Sequence, residues 1–216
     1  MKPVRLIIFD LDGTLVNTLE DITASVNFTL GRLGRPPVPM EAVRQYVGDG
    51  LTALLSRSMG GHDELLHEAA GIYTVHHSRN LVVRSRLYPG VLETLDHFRS
   101  IPLAVISNKT EEFVRPLLEG LDIAGCFRMV LGADAGLPLK PAPDSILHIM
   151  RSLQAPRERT VMVGDGTTDV RAGRAAGVTT CAVTWGFRSE AELRTAAPDH
   201  VIHAMPELAD LFVPEP

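Results

Sequence analysis

The chain has 216 residues, 26 of them acidic and 21 basic, for a net charge of −5, and 45% of it is apolar. That length fits one medium domain, or a core domain carrying an insert. The mild acidity and the lack of a basic stripe argue against a nucleic-acid partner, and no apolar run reaches the roughly 18 residues that a membrane span needs.

The first run, Val4-Arg5-Leu6-Ile7-Ile8-Phe9, is short, rich in branched aliphatics and followed by a turn signal. It reads as a buried strand of a parallel sheet. One early Lys leads into it, without the small-residue cleavage site of a secretory signal. Asp10-Leu11-Asp12-Gly13-Thr14 follows. Asp10 and Asp12 flank Leu11 and can share one face. Like charges this close are relieved by a cation or a shared proton. A hard divalent ion such as Mg2+ is the simplest relief, because it needs few carboxylates plus backbone oxygen and water.

The pattern then turns helical. Asn17 or Thr18 can cap, Glu20 and Asp21 sit in the first turn, and Leu19, Ile22, Val26, Leu30 and Leu33 form one stripe. The Pro-rich stretch from Gly34 to Pro39 breaks this helix, and a short one is expected over Met40–Tyr46. Gly48-Asp49-Gly50 is a tight loop ahead of the helical Leu51–Leu55, and a long helical stretch runs from about 63 to 84. Two readings of that loop stay open: a contact between a lid and substrate, or a plain helix–helix turn. Residues 17–84 carry no strand pattern and lie between strands. They read as an inserted helical cap subdomain, with the core formed by residues 1–16 and 85–216.

Tyr88-Pro89-Gly90 returns the chain to that core, and a helix follows over Val91–Phe98. Strands are expected at Pro102–Ile106, Phe127–Leu131, Thr160–Val163, Thr179–Thr184 and Asp199–Ile202. Helices near 111–121, 143–153, 169–176 and 206–212 alternate with them, and Gly177 carries a helix-stop signal. Such alternation predicts an α/β fold, a doubly wound parallel sheet with a Rossmann-like core. The carboxyl ends of its strands share one edge, and polar residues recur there: Asp10 and Asp12, Ser107 and Asn108, Lys140, Asp165 and Asp169. Singly, each is a turn or a cap. Together they bring carboxylates, a hydroxyl and a cation to one site. Cys126 and Cys181 stand alone, are expected to be buried, and suit a reducing cytoplasm. His76 and His77 are helix neighbours pointing about 100° apart, and they read as solvated surface residues rather than a chelating pair.

The residues Asp10-Leu11-Asp12-Gly13-Thr14-Leu15, Ser107-Asn108, Lys140-Pro141 and Gly164-Asp165-Gly166-Thr167-Thr168-Asp169 resemble, in order, the four motifs of the haloacid dehalogenase-like phosphohydrolases. The helical insert after the first motif matches as well. Leu87-Tyr88-Pro89-Gly90-Val91, Ser107-Asn108-Lys109 and Trp185-Gly186-Phe187 are similar to stretches of the phosphoglycolate phosphatase branch. Gly166 departs from the pattern, because many relatives have serine there. The resemblance implies an Mg2+-dependent phosphate monoester hydrolase in which Asp10 attacks phosphorus and forms an aspartyl-phosphate. It also implies that Asp12 protonates the leaving group and then activates water. Ser107, the Asn108 backbone N–H and Lys140 would hold the phosphate. Asp10, the Asp12 carbonyl, Asp165 and Asp169 would hold the metal, and Thr14 would orient Asp12. The expected partner is a small anionic phosphate ester, 2-phosphoglycolate first. Pyrophosphate or sugar-phosphate chemistry of the same superfamily is the alternative, and a phospho-accepting signalling receiver is the reading from another class. A carboxylate on the substrate needs a second anion-binding partner. With Lys140 committed to phosphate, that partner is expected from the lid: the Gly48, Asp49 and Gly50 backbone, or Arg44, Arg84 or Arg86.

Overall fold

The computed structural model describes residues 1–215. The chain begins with β1 (Lys2–Val4), β2 (Leu6–Phe9) and β3 (Val16–Asn17). Four helices follow: α1 (Leu19–Arg32), α2 (Met40–Tyr46), α3 (Leu51–Ser58) and α4 (Leu66–Ser78). Next come β4 (Arg86–Leu87), α5 (Val91–His97), β5 (Leu103–Ile106), α6 (Glu111–Gly120) and β6 (Met129–Leu131). The chain continues with α7 (Asp144–Ser152), β7 (Thr160–Gly164), α8 (Thr167–Ala176) and β8 (Thr179–Val183). It closes with α9 (Glu190–Thr195), β9 (His200–Ile202), α10 (Leu208–Leu211) and β10 (Phe212–Pro214).

The main sheet has six strands in the order β6-β5-β2-β7-β8-β9, every pair parallel. The order reverses at β2, and the crevice beyond its carboxyl end is the switch point where open α/β sheets bind ligands. Alternation along the strands feeds two layers. Ile7, Phe9, Val105 and Val163 pack on the side of α5 and α6, while Leu6, Ile8, Ala104 and Met162 pack under α7 and α8. The expected α/β architecture is present, with the addition of a separate two-stranded sheet. The first apolar run splits at Arg5, and β1 pairs in parallel with β10, Lys2 opposite Phe212. Phe212, expected in the last helix, is therefore a buried strand residue. A three-residue strand carries no period of its own and is defined by its partner.

A second apolar cluster joins Leu19, Ile22, Val26 and Leu30 of α1 to Val43, Leu55 and Tyr73, and takes in Phe113 and Phe187 as well. The expectation of no strand near the ends of the insert is corrected at the stem. Val16–Asn17 pairs antiparallel with Arg86–Leu87, and the long helix stops at Ser78. The buried Asp21 fastens that stem from α1: its carboxylate accepts the Ser85 N–H at 2.8 Å, the Ser85 hydroxyl at 2.7 Å and the Arg84 N–H at 3.0 Å. No helix among the described residues is long and apolar enough to cross a membrane.

Two surface assignments change. Cys126 is exposed and only Cys181 is buried. His77 is fully buried, stacked edge-on against Phe113 and tilted against Tyr73. Ser25 Oγ donates to the Asp21 carbonyl and lies 3.0 Å from His77 Nδ1, so Nδ1 carries the proton and donates to Ser25. Nε2 is left without a partner. Burial, with the charges of Lys109 and His76, pushes the His77 pKa down to about 2. The unfolded chain, with an ordinary value near 6.5, then binds a proton that the fold refuses. The contribution of His77 to stability is full above pH 6.5 and is lost as pH falls through the window below it. Between pH 6.5 and 5 it should amount to about 2 kcal/mol, at ~1.4 kcal/mol per unit. Chemical denaturation of wild type and His77→Gln over that range checks it, with the wild-type curve expected to fall more steeply. Parallel curves would mean that His77 does not report the folding equilibrium.

Candidate active site

The loop leaving β2 carries Asp10 to the switch point. The Asp10 N–H donates to the Val163 carbonyl at 2.9 Å, which continues the β2–β7 pairing by one residue and fixes the side chain over the crevice. Two residues without side chains make room for the neighbouring carboxylate. A Cβ on Gly13, whose φ is +88°, or on Gly186 would lie 2.3 Å from Asp165 Oδ2. Asp165 sits after β7, and its Oδ2 accepts the Phe187 N–H at 2.7 Å. Asp169 sits in the first turn of α8, and its Oδ2 accepts the Gly166 N–H at 2.9 Å. A Cβ on Gly166 would come within 3.0 Å of Asp169 Oδ2, so the glycine at this departure leaves that carboxylate uncrowded.

Asp10, Asp165 and Asp169 are buried, and each offers a carboxylate oxygen within 4.8 Å of the others'. Lys140 stands among them. Its ammonium donates to Asp10 Oδ1 at 2.6 Å and to the Ile106 carbonyl at 3.1 Å, and it lies 2.6 Å from Asp169 Oδ1. That last approach lacks hydrogen-bond alignment, and Asp169 Oδ1 is a buried oxygen without a hydrogen-bonded partner. Burial pushes the Asp10 carboxyl well above the usual range; Lys140 opposes the shift, while Asp169 and Asp165 add to it. Burial and then Asp169 raise Asp165 to about 6. Burial works against the charge on Lys140, yet Asp10 and Asp169 hold its pKa above the ordinary value. Of three buried carboxylates, two pair with the one ammonium, and one oxygen has no hydrogen-bond donor. An all-oxygen donor set with excess negative charge fits a hard divalent cation.

Asp12 faces elsewhere. Its Oδ1 accepts the Thr18 hydroxyl at 2.6 Å and the Lys109 ammonium at 2.9 Å. Thr14 was expected to orient Asp12; instead its hydroxyl lies 3.3 Å from Asp10 Oδ2 and 3.1 Å from Asp165 Oδ1, and it accepts the Asp165 N–H at 3.0 Å. Thr18 does the orienting, which is why it makes no side-chain cap on α1. Ser107 and Asn108 follow β5. The Asn108 side chain exchanges hydrogen bonds with the Lys140 backbone, 3.0 Å each way, and also donates to the Gly48 carbonyl at 2.9 Å.

These groups line one cavity of about 180 Å³. Its core wall carries the acid cluster, Ser107, Asn108, Lys109 and Lys140, and its opposite wall is Gly48-Asp49-Gly50, Leu54 and Tyr73. The Gly48–Gly50 loop therefore faces the cavity, and the Asp49 carboxylate is paired with Arg57 at 2.6 Å. Arg84 and Arg86 do not reach the cavity: Arg84 pairs with Glu20 and Arg86 donates to the Ser85 carbonyl. Arg44 is outside it too. The guanidinium at the cavity belongs to Arg188, from the core. It donates to the carbonyls of Arg44 at 2.8 Å, Gln45 at 3.2 Å and Val47 at 2.6 Å, and so ties the end of α2 to the core. Lys109, Tyr73 and Arg188 are thus cavity residues that the sequence reading left out of the site. For Tyr73 a signal existed in the Ala69, Tyr73, His77 spacing, which lies on one face of α4.

This chain is a haloacid dehalogenase-like hydrolase, and the sequence profile of that family matches residues 7–183. It is 37% identical over 212 residues to "Phosphoglycolate phosphatase 1" of Pseudomonas aeruginosa, an alignment covering 94% of this chain and 78% of that protein. It is 33% identical to the phosphoglycolate phosphatase of Aquifex aeolicus, with 97% of each covered. A crystal structure described as a predicted phosphoglycolate phosphatase from Haemophilus somnus superposes with a TM-score of 0.92 at 27% identity, over 96% of this chain and 97% of that one. The chain therefore lies in the phosphoglycolate phosphatase-like branch and is a phosphatase.

Proposed function

We propose that this phosphatase hydrolyses 2-phosphoglycolate with Mg2+, through an aspartyl-phosphate on Asp10, and that residues 17–84 act as the cap that closes on the substrate. The observation that carries the reading is the convergence of Asp10, Asp165, Asp169 and Lys140 in one cavity closed by the Gly48–Gly50 loop. Asp10, Asp165 and Asp169, with the Asp12 carbonyl, would hold the metal. When bound, Mg2+ screens the charge of the phosphate dianion against an anionic nucleophile. Asp10 attacks phosphorus, and the Lys140 ammonium, the Ser107 hydroxyl and the Asn108 N–H receive charge spreading over the phosphoryl oxygens. Asp12 gives its proton to the departing alkoxide and then takes one from water. The apolar wall made by Leu54, Phe113 and Phe187 limits water in the closed cavity. A cytoplasmic setting suits the free cysteines Cys126 and Cys181.

The test is kcat/KM over a panel of small phosphate esters and pyrophosphate with Mg2+. 2-Phosphoglycolate should lead. A tenfold preference for pyrophosphate or a sugar phosphate, about 1.4 kcal/mol in transition-state binding, would overturn the substrate. The acid role has its own check in Asp12→Asn. An alkyl phosphate, whose leaving group needs a proton, should lose about 10²–10⁴-fold, and an activated aryl phosphate much less. Equal losses would count against Asp12 as the acid.

A further inference from the structure

We propose that Lys109 and Tyr73 together bind the carboxylate of the leaving group, one from the core and one from the cap; this rests on the phosphoglycolate reading above. The argument starts from which cations at the cavity have donors to spare. An ammonium has three. Lys140 donates to Asp10 and to the Ile106 carbonyl, and its charge is also paired with Asp169 at 2.6 Å. Both protons of Arg188 Nη2 go to the carbonyls of Gln45 and Val47, and Nη1 donates to that of Arg44. No two-pronged face of that guanidinium is free for a carboxylate. Lys109 has one partner, Asp12 Oδ1 at 2.9 Å, while its side chain is only 10% exposed. Two of its donors are uncommitted in a nearly dry wall.

The cap wall leads to Tyr73 in the same way. Its polar side chains at the cavity are Asp49 and Tyr73, and Asp49 is paired with Arg57. The Tyr73 ring is buried, its residue lines the cavity, and its hydroxyl makes no hydrogen bond with any described residue and is not a sealed-off oxygen. A Tyr hydroxyl that opens on a cavity is a free donor there, and a ligand oxygen would accept from it.

The placement suits the substrate's covalent structure. In 2-phosphoglycolate the carboxylate carbon is one methylene away from the ester oxygen, so the group that binds it must lie beside the acid that protonates that oxygen. Lys109 touches Asp12. Tyr73 and Asp12 line the same cavity as Lys109, so the three groups meet one ligand space. An anionic substrate would thus be gripped at one end by Lys140 and Ser107 and at the other by Lys109 and Tyr73. A phosphate ester lacking the carboxylate would leave the second pair idle.

The test compares kcat/KM for 2-phosphoglycolate and for ethyl phosphate, which replaces the carboxylate by a methyl group, in wild type, Tyr73→Phe, Lys109→Met and Lys109→Arg. Both esters have alkyl leaving groups, so any effect on Asp12 largely cancels in their ratio. The preference for 2-phosphoglycolate should fall about 10- to 100-fold in Lys109→Met and about 10-fold in Tyr73→Phe, the size of a lost hydrogen bond to a charged group. Lys109→Arg should recover part of it. Tyr73→Phe keeps the ring against His77 and Phe113, and its unfolding midpoint should stay near wild type. If wild type prefers 2-phosphoglycolate and both variants keep that preference, Lys109 and Tyr73 only shape the wall and this assignment falls alone. If wild type shows no preference, the substrate reading fails and takes this one with it.

Discussion

Asp10→Asn should abolish turnover of every phosphate ester while leaving the fold intact. The amide keeps the shape of the carboxylate but offers no anionic oxygen to phosphorus, and the expected loss is on the order of 10⁶, as when other enzymes lose their nucleophile. The backbone placement of residue 10 does not depend on the charge, and Lys140 keeps Asp169 as its second carboxylate at 2.6 Å. Asp10 is anchored through its N–H to Val163, which the substitution leaves alone. The native carboxyl is held above its usual pKa by burial, so its ionised form costs folding energy that an amide does not. The unfolding midpoint of the metal-free variant should therefore equal or exceed that of wild type. Steady-state rates and a thermal melt on the same preparation check both statements. A variant with near-wild-type kcat would remove Asp10 from the nucleophile's role, and a collapsed melt would make any rate loss a matter of folding.

Stripping divalent cations should bring activity to background, with full return on adding Mg2+. Without a cation, three buried carboxylates face one ammonium, and the Lys140 contacts at 2.6 Å to Asp10 and Asp169 occupy the charge that the phosphoryl oxygens need. Ca2+ should inhibit, because its longer bonds and larger coordination number misplace Asp10. Binding to the folded protein alone also raises stability by mass action, about 2.7 kcal/mol at one hundred times Kd. Mg2+ should therefore raise the unfolding midpoint of wild type, and raise it much less in Asp165→Asn. Full activity in excess chelator, or a Mg2+ shift untouched by Asp165→Asn, would contradict this site.

The strand-end residues were readable because β2, β5 and β7 are continuous apolar runs with polar residues directly after them, and a parallel sheet brings such ends to one edge. What was not readable depended on partners far along the chain. Phe212 looks helical until Lys2 is found opposite it. Thr14 and Thr18 are both near Asp12 in sequence, and only the turn geometry decides that Thr18 reaches it. His77 reads as a surface residue when only its failure to chelate with His76 is weighed, although its spacing from Ala69 and Tyr73 places it on the inner face. Lys109 was passed over for a similar reason. A second anion-binding group is expected from the Gly48–Gly50 backbone or from Arg44, Arg84 or Arg86, whereas Lys109, a cation of the cavity wall, stands next to the motif residue Asn108. Arg188 escaped altogether, because its partners are backbone carbonyls, which leave no mark on a sequence.

The stem of the insert has a consequence for divergence. Asp21 clasps Arg84 and Ser85, and Val16–Asn17 lies against Arg86–Leu87, so the segment leaves the sheet and re-enters it through one fastened gate. Lengthening, shortening or recolouring the helices beyond that gate does not move the ends that the sheet sees. A lineage can therefore exchange the surface that selects a leaving group while the phosphate chemistry at the sheet edge stays under separate selection. Descendants of this architecture should differ most between α1 and α4 and least at the gate itself, with Asp21 and Ser85 changing together or not at all.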